Sequence, residues 1–174
     1  VTSVAFHLWG DYMLTGSRDT TAKLWQIGDI QSLRTFSGHK STVSSVAFQP
    51  HGHRILTGSF DGTSKLWNMR QSEALETFTG HGGPVYSVAF HPLAKLALTG
   101  SADEAVRVWD ISEEHPIRTF SGHGNEVAAI AFHPDGKRVL TSSGDIVKLW
   151  HIEDSDEPLK EFSSDRHNII SVAF

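Results

Sequence analysis

Apolar and polar residues alternate along this chain in runs of four to six, and no stretch sustains the 3.6-residue period of an amphipathic helix. Residues 43–84 show the pattern best. Val43–Phe48, Arg54–Thr57, Ser64–Met69 and Ala74–Phe78 are rich in Val, Ile, Leu, Phe, Trp and Thr, the residues that fit a pleated, half-buried surface. Between them lie Pro50-His51-Gly52-His53, Ser59-Phe60-Asp61-Gly62 and Arg70-Gln71-Ser72-Glu73, which are turn-like. Pro134-Asp135-Gly136 is a further tight-turn signal, because Pro presets φ and Gly tolerates positive φ. The pattern predicts four short strands in an antiparallel meander.

The meander recurs. Ser-Val-Ala-Phe or Ala-Ile-Ala-Phe ends at Phe6, Phe48, Phe90, Phe132 and Phe174, at a constant spacing of 42. Trp25, Trp67 and Trp109 keep the same period, as do Phe36, Phe78, Phe120 and Phe162. Trp150 comes one residue early, so the fourth unit carries a deletion before it and an insertion after it. Residues 43–84 and 85–126 share 17 identities in 42 positions. A four-stranded unit of this size cannot bury both of its faces alone, whereas radial stacking of such sheets can. The expected fold is therefore all-β, with blades over 1–42, 43–84, 85–126 and 127–168, and the first strand of a fifth over 169–174.

Gly80-His81, Val85-Tyr86-Ser87-Val88-Ala89-Phe90-His91-Pro92, Leu98-Thr99-Gly100-Ser101-Ala102-Asp103 and Val106-Arg107-Val108-Trp109-Asp110 together resemble one WD repeat of a β-propeller. The resemblance covers essentially the whole chain. The pattern departs in three places: the first unit begins after its Gly-His, it has Leu8-Trp9 where later units have Pro-x, and Ser164-Asp165 stands where a fifth Gly-His is expected. The resemblance implies a propeller arc of four-stranded blades belonging to a larger ring, commonly of about seven blades. Two unpaired blade flanks would then favour self-association.

Several constellations imitate chemistry. Ser59, Asp61 and His39, like Ser101, Asp103 and His81, are the ingredients of a hydrolytic triad. A catalytic site has no reason to be copied in each repeat, always with a Trp five or six residues beyond the Asp, but a structural clamp does. By resemblance, His81, Thr99, Asp103 and Trp109 form the family's buried hydrogen-bond tetrad. The matching sets are His39, Thr57, Asp61, Trp67 and His123, Thr141, Asp145, Trp150. The strand Trp residues read as inter-blade core. Trp9, in a turn, reads equally as an exposed contact or as cover for a neighbouring loop.

Composition narrows the function classes. A net charge of -5 without any Lys/Arg run disfavours nucleic acid as the partner. No run approaches the ~18 apolar residues of a membrane span, so membrane insertion is not expected. The chain has no Cys, which removes disulfides and thiolate sites and is compatible with a reducing compartment; the cytoplasm is the expected location, the nucleus the alternative. Of eleven His, only His51 and His53 form a close pair, in a turn without a third ligand nearby, so no metal is expected. No cofactor is implied either. Acidic residues gather at Glu113-Glu114 and at Glu153, Asp154, Asp156 and Glu157, which reads first as a solubilising rim and second as a docking patch for a basic segment.

The expected function is a protein-interaction scaffold that presents loops to a protein or peptide, without catalysis of its own. The alternative is the sensing or substrate-recruiting arc of a larger multidomain enzyme. In propellers resembling this chain, outward-pointing contact positions lie just before the turn Asp and at the start of each first strand. Here these are Arg18, Phe60, Ala102 and Gly144, and Ser44, Tyr86 and Ala128. Arg18, Phe60 and Tyr86 are the candidates, since aromatic residues and Arg dominate interface hot spots.

Overall fold

The computed structural model describes the whole chain except residues 94, 155, 165 and 166. Among the described residues, sixteen strands form four sheets of four. The first blade holds β1 (Ser3–Phe6), β2 (Tyr12–Gly16), β3 (Ala22–Gln26) and β4 (Ser32–Phe36), and the second β5 (Val43–Phe48), β6 (Arg54–Ser59), β7 (Ser64–Asn68) and β8 (Ala74–Phe78). The third holds β9 (Val85–Phe90), β10 (Leu96–Ser101), β11 (Val106–Asp110) and β12 (Pro116–Phe120). The fourth holds β13 (Val127–Phe132), β14 (Arg138–Ser143), β15 (Ile146–His151) and β16 (Lys160–Ser163). Within each sheet the strands lie in chain order and every pair is antiparallel. The chain is all-β, and its four blades form an unclosed arc.

The blades are joined by three apolar interfaces. Leu14, Leu24 and Phe36 of the first blade meet Val43, Val46, Ile55 and Trp67 of the second. Leu56, Leu66 and Phe78 meet Val85, Val88 and Trp109, and Leu98, Val108 and Phe120 meet Val127, Ile130 and Trp150. Trp67, Trp109 and Trp150 thus each face the preceding blade. There it packs on the Phe that ends that blade's fourth strand, with ring centroids 5.4, 5.1 and 4.9 Å apart. Burying an aromatic of this size stabilises the interface by up to ~4–6 kcal/mol from area alone.

Sheet-to-sheet approach is close enough to demand glycine at one position. A Cβ on Gly58 would lie 2.7 Å from Val88 Cγ1, and one on Gly100 would lie 2.9 Å from Val127 Cγ1. The fourth blade carries Ser142 there, with its hydroxyl buried and unpaired among the described residues. The end flanks differ accordingly. Val4 is 51% exposed where its equivalent Val46 is 6%, and Phe162 is 45% exposed where Phe78 is 1%.

Two expectations are corrected. Residues 169–174 form no strand; Ile169 N–H donates to the Gly144 carbonyl at 2.7 Å, but a first strand needs a second to pair with, and none is present among the described residues. Of the Ser164-Asp165 pair, Asp165 lies outside the described residues. The Arg54 and Ser64 strands begin where the pattern predicts, and β6 extends two residues further, to Ser59.

Candidate functional site

The loop from β4 to β5 and the turn from β6 to β7 meet at one end of the blades, called the top here. Two sets of contacts hold them: Lys40 N–H on Asp61 Oδ2 at 2.7 Å, and Phe60 N–H on the Thr42 carbonyl at 2.9 Å. Beneath them runs a line of side-chain hydrogen bonds. His39 Nδ1 is 3.0 Å from Asp61 Oδ2, and its Nε2 is 2.7 Å from Thr57 Oγ1, which accepts from Trp67 Nε1 at 2.9 Å. A carboxylate only accepts, so His39 donates from Nδ1. Its Nε2 lone pair then takes the Thr57 hydroxyl proton, and the hydroxyl oxygen takes the indole N–H. The order is Trp to Thr to His to Asp, with one proton per link.

The third blade repeats this line. His81 Nδ1 is 3.0 Å from Asp103, Nε2 is 2.6 Å from Thr99 Oγ1, and Trp109 Nε1 donates to Thr99 at 2.9 Å. It also adds a cation: Arg107 donates to Asp103 Oδ2 at 2.7 Å and reaches the His81 ring.

The fourth blade differs. His123 Nε2 still meets Thr141 at 2.9 Å, and Trp150 Nε1 still donates to Thr141 at 2.9 Å. His123 Nδ1, however, donates to the backbone carbonyl of Glu104, in the third blade, at 3.0 Å. Asp145, expected to complete the set, is exposed in a two-residue turn with Gly144 between Ser143 and Ile146. The deletion ahead of Trp150 is the cause: it shortens the loop that would otherwise fold the Asp back under the His.

Electrostatics follow the geometry. Burial would raise the Asp61 carboxyl, but donors from Thr63, Lys40 and His39 outweigh it and hold it at about 2. Asp103 is likewise held at about 2, against burial, by Gly82 N–H, Arg107 and His81. Burial pushes His39 and His81 below the ordinary imidazole value. It pushes His123 further, to about 4, because no carboxylate counters burial there and Lys148 stands nearby. These are settled, neutral imidazoles. Each Nε2 meets the hydroxyl of a Thr that is 0% exposed and that also accepts a Trp indole N–H, so each line is closed within the fold.

Phe60 and Tyr86 come together on the top. Their rings make an edge-to-face contact with centroids 5.5 Å apart, and Phe60 is 43% exposed. Tyr86 owes its position to a β-bulge: Val85 pairs with Ser101 and Ser87 with Gly100, which leaves Tyr86 unpaired between them. Such a bulge re-aims a side chain. The Tyr86 hydroxyl donates to Glu126 Oε2 at 3.0 Å, so the group runs from the β6–β7 turn of the second blade to the loop between β12 and β13. Partial burial and the Glu126 carboxylate raise the phenol above its ordinary value, which keeps it a donor. Arg18 is exposed in the corresponding turn of the first blade and does not touch the ring pair. Sequence reasoning missed Glu126, Arg107 and the Glu104 carbonyl. Arg107 had a signal, a long cation two residues before Trp109; the other two had none.

Among the acidic loops, Asp156 pairs with Arg118 at 3.0 Å and Asp154 with His151 at 3.1 Å, so part of that charge is spent within the chain.

Stacked four-stranded sheets, each locked to its neighbour by a Trp and three of them closed at one end by a His–Thr–Trp line, define a β-propeller arc of repeat type. The chain belongs to the family described as WD domain, G-beta repeat, whose pattern matches residues 1–26, 30–68, 72–110 and 114–151. Repeats of this family are generally protein-interaction scaffolds. No curated protein matches the chain. The family repeat and the sheet are offset by one strand. Residues 30–68 take β4 from one blade and β5–β7 from the next, so the Phe36–Trp67 contact and the whole His39 line fall inside one repeat.

Proposed function

We propose that this chain is a scaffold that binds a protein or peptide partner on its top face, through Phe60, Tyr86 and Glu126, with Arg18 as an outlying charge. The observation that carries this is the exposed Phe60–Tyr86 ring pair. Turn residues Ser59, Asp61 and Gly62 offer Phe60 no core, yet its backbone is pinned by Thr42 and its ring by Tyr86. A rigid aromatic pair loses little entropy on binding, and such residues supply most of the affinity at interfaces. The repeated Ser, His and Asp sets have no catalytic part in this reading, and the cytoplasm is its expected setting.

The test is the double substitution Phe60→Ser and Tyr86→Ser in the whole chain. Partner capture should fall tenfold or more, roughly the loss of one hot-spot residue. The melting temperature should move by no more than about 3 °C, the shift that ~1 kcal/mol produces at this size. Undiminished capture, or a fall in stability large enough to explain the loss, overturns the reading.

A further inference from the structure

The opposite end of the arc holds a second feature, independent of the top face. A cavity of about 270 Å³ opens between the first and second blades, walled by Trp9, Tyr12, Leu24, Leu33 and Met69. Arg34, Arg70, His53 and His7 complete its lining, and no carboxylate is among the described residues that form it.

His7 is the residue out of place. It is 3% exposed, and its ring sits edge-on to Trp9, Tyr12 and Phe48 at 4.8, 6.1 and 5.1 Å. Nε2 lies 3.3 Å from the Gly52 carbonyl. A carbonyl only accepts, so in the neutral ring Nε2 carries the proton and Nδ1 presents a lone pair. That Nδ1 is buried without a partner among the described residues. At the equivalent positions the same nitrogen is satisfied: His91 Nδ1 accepts from Leu93 N–H and His133 Nδ1 from Asp135 N–H, each at 3.0 Å. A buried acceptor left open in an aromatic-walled cavity calls for a donor from outside.

Size and charge narrow the occupant. At about 270 Å³ the cavity is at or below the lower limit of drug-sized pockets, which run from ~300 Å³, and suits a single aromatic side chain. The rim is cationic on a chain whose net charge is -5. Arg34 is held in place by the Met69 carbonyl at 3.1 Å and Ser72 Oγ at 3.2 Å, which leaves part of its guanidinium fork unused, and Arg70 is exposed. The equivalent hollow between the second and third blades is lined by Gln49, Arg54, Lys95, Asp110, Ile111 and Ser112, with no aromatic wall and a carboxylate inside. The aromatic wall and the carboxylate-free lining are therefore not repeated at the neighbouring interface.

We infer that this cavity receives a Tyr or Trp side chain from an acidic segment of a partner protein, the ring O–H or N–H donating to His7 Nδ1 and the flanking carboxylates meeting Arg34 and Arg70.

The experiment titrates the whole chain by calorimetry with the N-acetylated, C-amidated peptide Glu-Glu-Tyr-Glu-Glu, and with versions carrying Phe for Tyr or Lys for each Glu. The Tyr peptide should bind, the Phe peptide roughly three- to tenfold more weakly for want of one hydrogen bond. The Lys version should bind at least about tenfold more weakly at low salt, with the gap closing as salt rises. Trp9→Leu and Arg70→Ser import the residues this chain itself carries at Leu93 and Ser112, so folding is not at risk. Each should weaken the Tyr peptide several-fold at unchanged melting temperature. The Phe60→Ser, Tyr86→Ser variant should bind it as the unaltered chain does, which separates this site from the top face. Absence of binding, equal binding of the Tyr and Phe peptides, indifference to the sign of the flanking charges, or an unaffected Trp9→Leu variant would each overturn the inference. So would a concentration-dependent dimer that Trp9→Leu abolishes, since the occupant would then be a second copy of this chain.

Discussion

The third and fourth blades present the same His–Thr–Trp line and end it differently. In the third, the His81 proton goes to a carboxylate that Arg107 also holds; in the fourth, the His123 proton goes to the Glu104 carbonyl of the neighbouring blade. One deleted residue separates the two arrangements. What survives the deletion is the part that faces the core: Thr141 and Trp150 are buried as deeply as Thr99 and Trp109. What is lost is the ionic part, at the surface end. The imidazole needs only an acceptor at Nδ1, and a backbone carbonyl serves as well as an Asp. The carboxylate is thus an addition to the line rather than its foundation, and its contribution depends on what else surrounds it.

The second blade sharpens that comparison, because Asp61 has no arginine: the equivalent of Arg107 is Lys65, which donates to Thr77 instead. Removing the imidazole should therefore hurt most there. His39→Ala leaves a largely buried Asp61 charge short of a partner and should cost about 3–5 kcal/mol, the range for breaking a buried pair. His81→Ala leaves Asp103 paired with Arg107 and should cost about 2–3 kcal/mol. His123→Ala abandons only a neutral carbonyl and should cost about the same or less. Urea unfolding of the three variants checks the order. Equal losses would mean that the imidazole acts by filling space and that its ionic partner is immaterial.

Acid separates the same blades by pH window. His123 is held at about 4 against an ordinary 6.5, so between those values the unfolded chain takes up a proton that the folded chain refuses. Stability is complete above about 6.5 and falls as pH drops toward 4, by about 3 kcal/mol from this residue. His39 and His81 are lowered as well and add to the fall in the same direction. Asp61 and Asp103, held at about 2, release their stabilisation only in a lower window, between about pH 4 and 2. Unfolding free energy followed from pH 7 to 4 should decline, and His123→Gln should flatten that decline. A flat profile in the unaltered chain would show that His123 is accessible to protons when folded.

How much of this was legible in the sequence depends on whether the information repeats. The 42-residue period is enough to set the strands, the Trp–Phe interfaces and the top-face turn positions, because a residue found at four equivalent places has four chances to reveal its environment. Single events carry no such redundancy. The deletion before Trp150 is plain in the sequence, yet whether Asp145 or Trp150 absorbs it depends on which end of the line is anchored, and only packing decides that. Trp9 stood out as unlike its equivalents. That it walls a cavity with His7 behind it rests on a contact across blades, to the Gly52 carbonyl, which no local pattern announces.

The smallest effect is the most direct test of the comparison. Asp145→Ala should change stability by no more than about 0.5 kcal/mol, as for an exposed residue away from any network. Its backbone does take part, since the Asp145 carbonyl accepts from Ser164 N–H at 2.8 Å, but that bond survives loss of the side chain. The turn residue that the geometry does require is Gly144, at φ +58°, and it is untouched by this substitution. The carboxylates at the matching positions of the second and third blades each accept from a backbone N–H as well as a histidine, Lys40 and Gly82 respectively, whereas His123 has already given its proton to Glu104. A loss beyond about 1 kcal/mol on Asp145→Ala, measured by urea unfolding at pH 7, would show that in solution the fourth blade closes its line on the carboxylate after all. The carbonyl substitution would then be an alternative state of the same clamp.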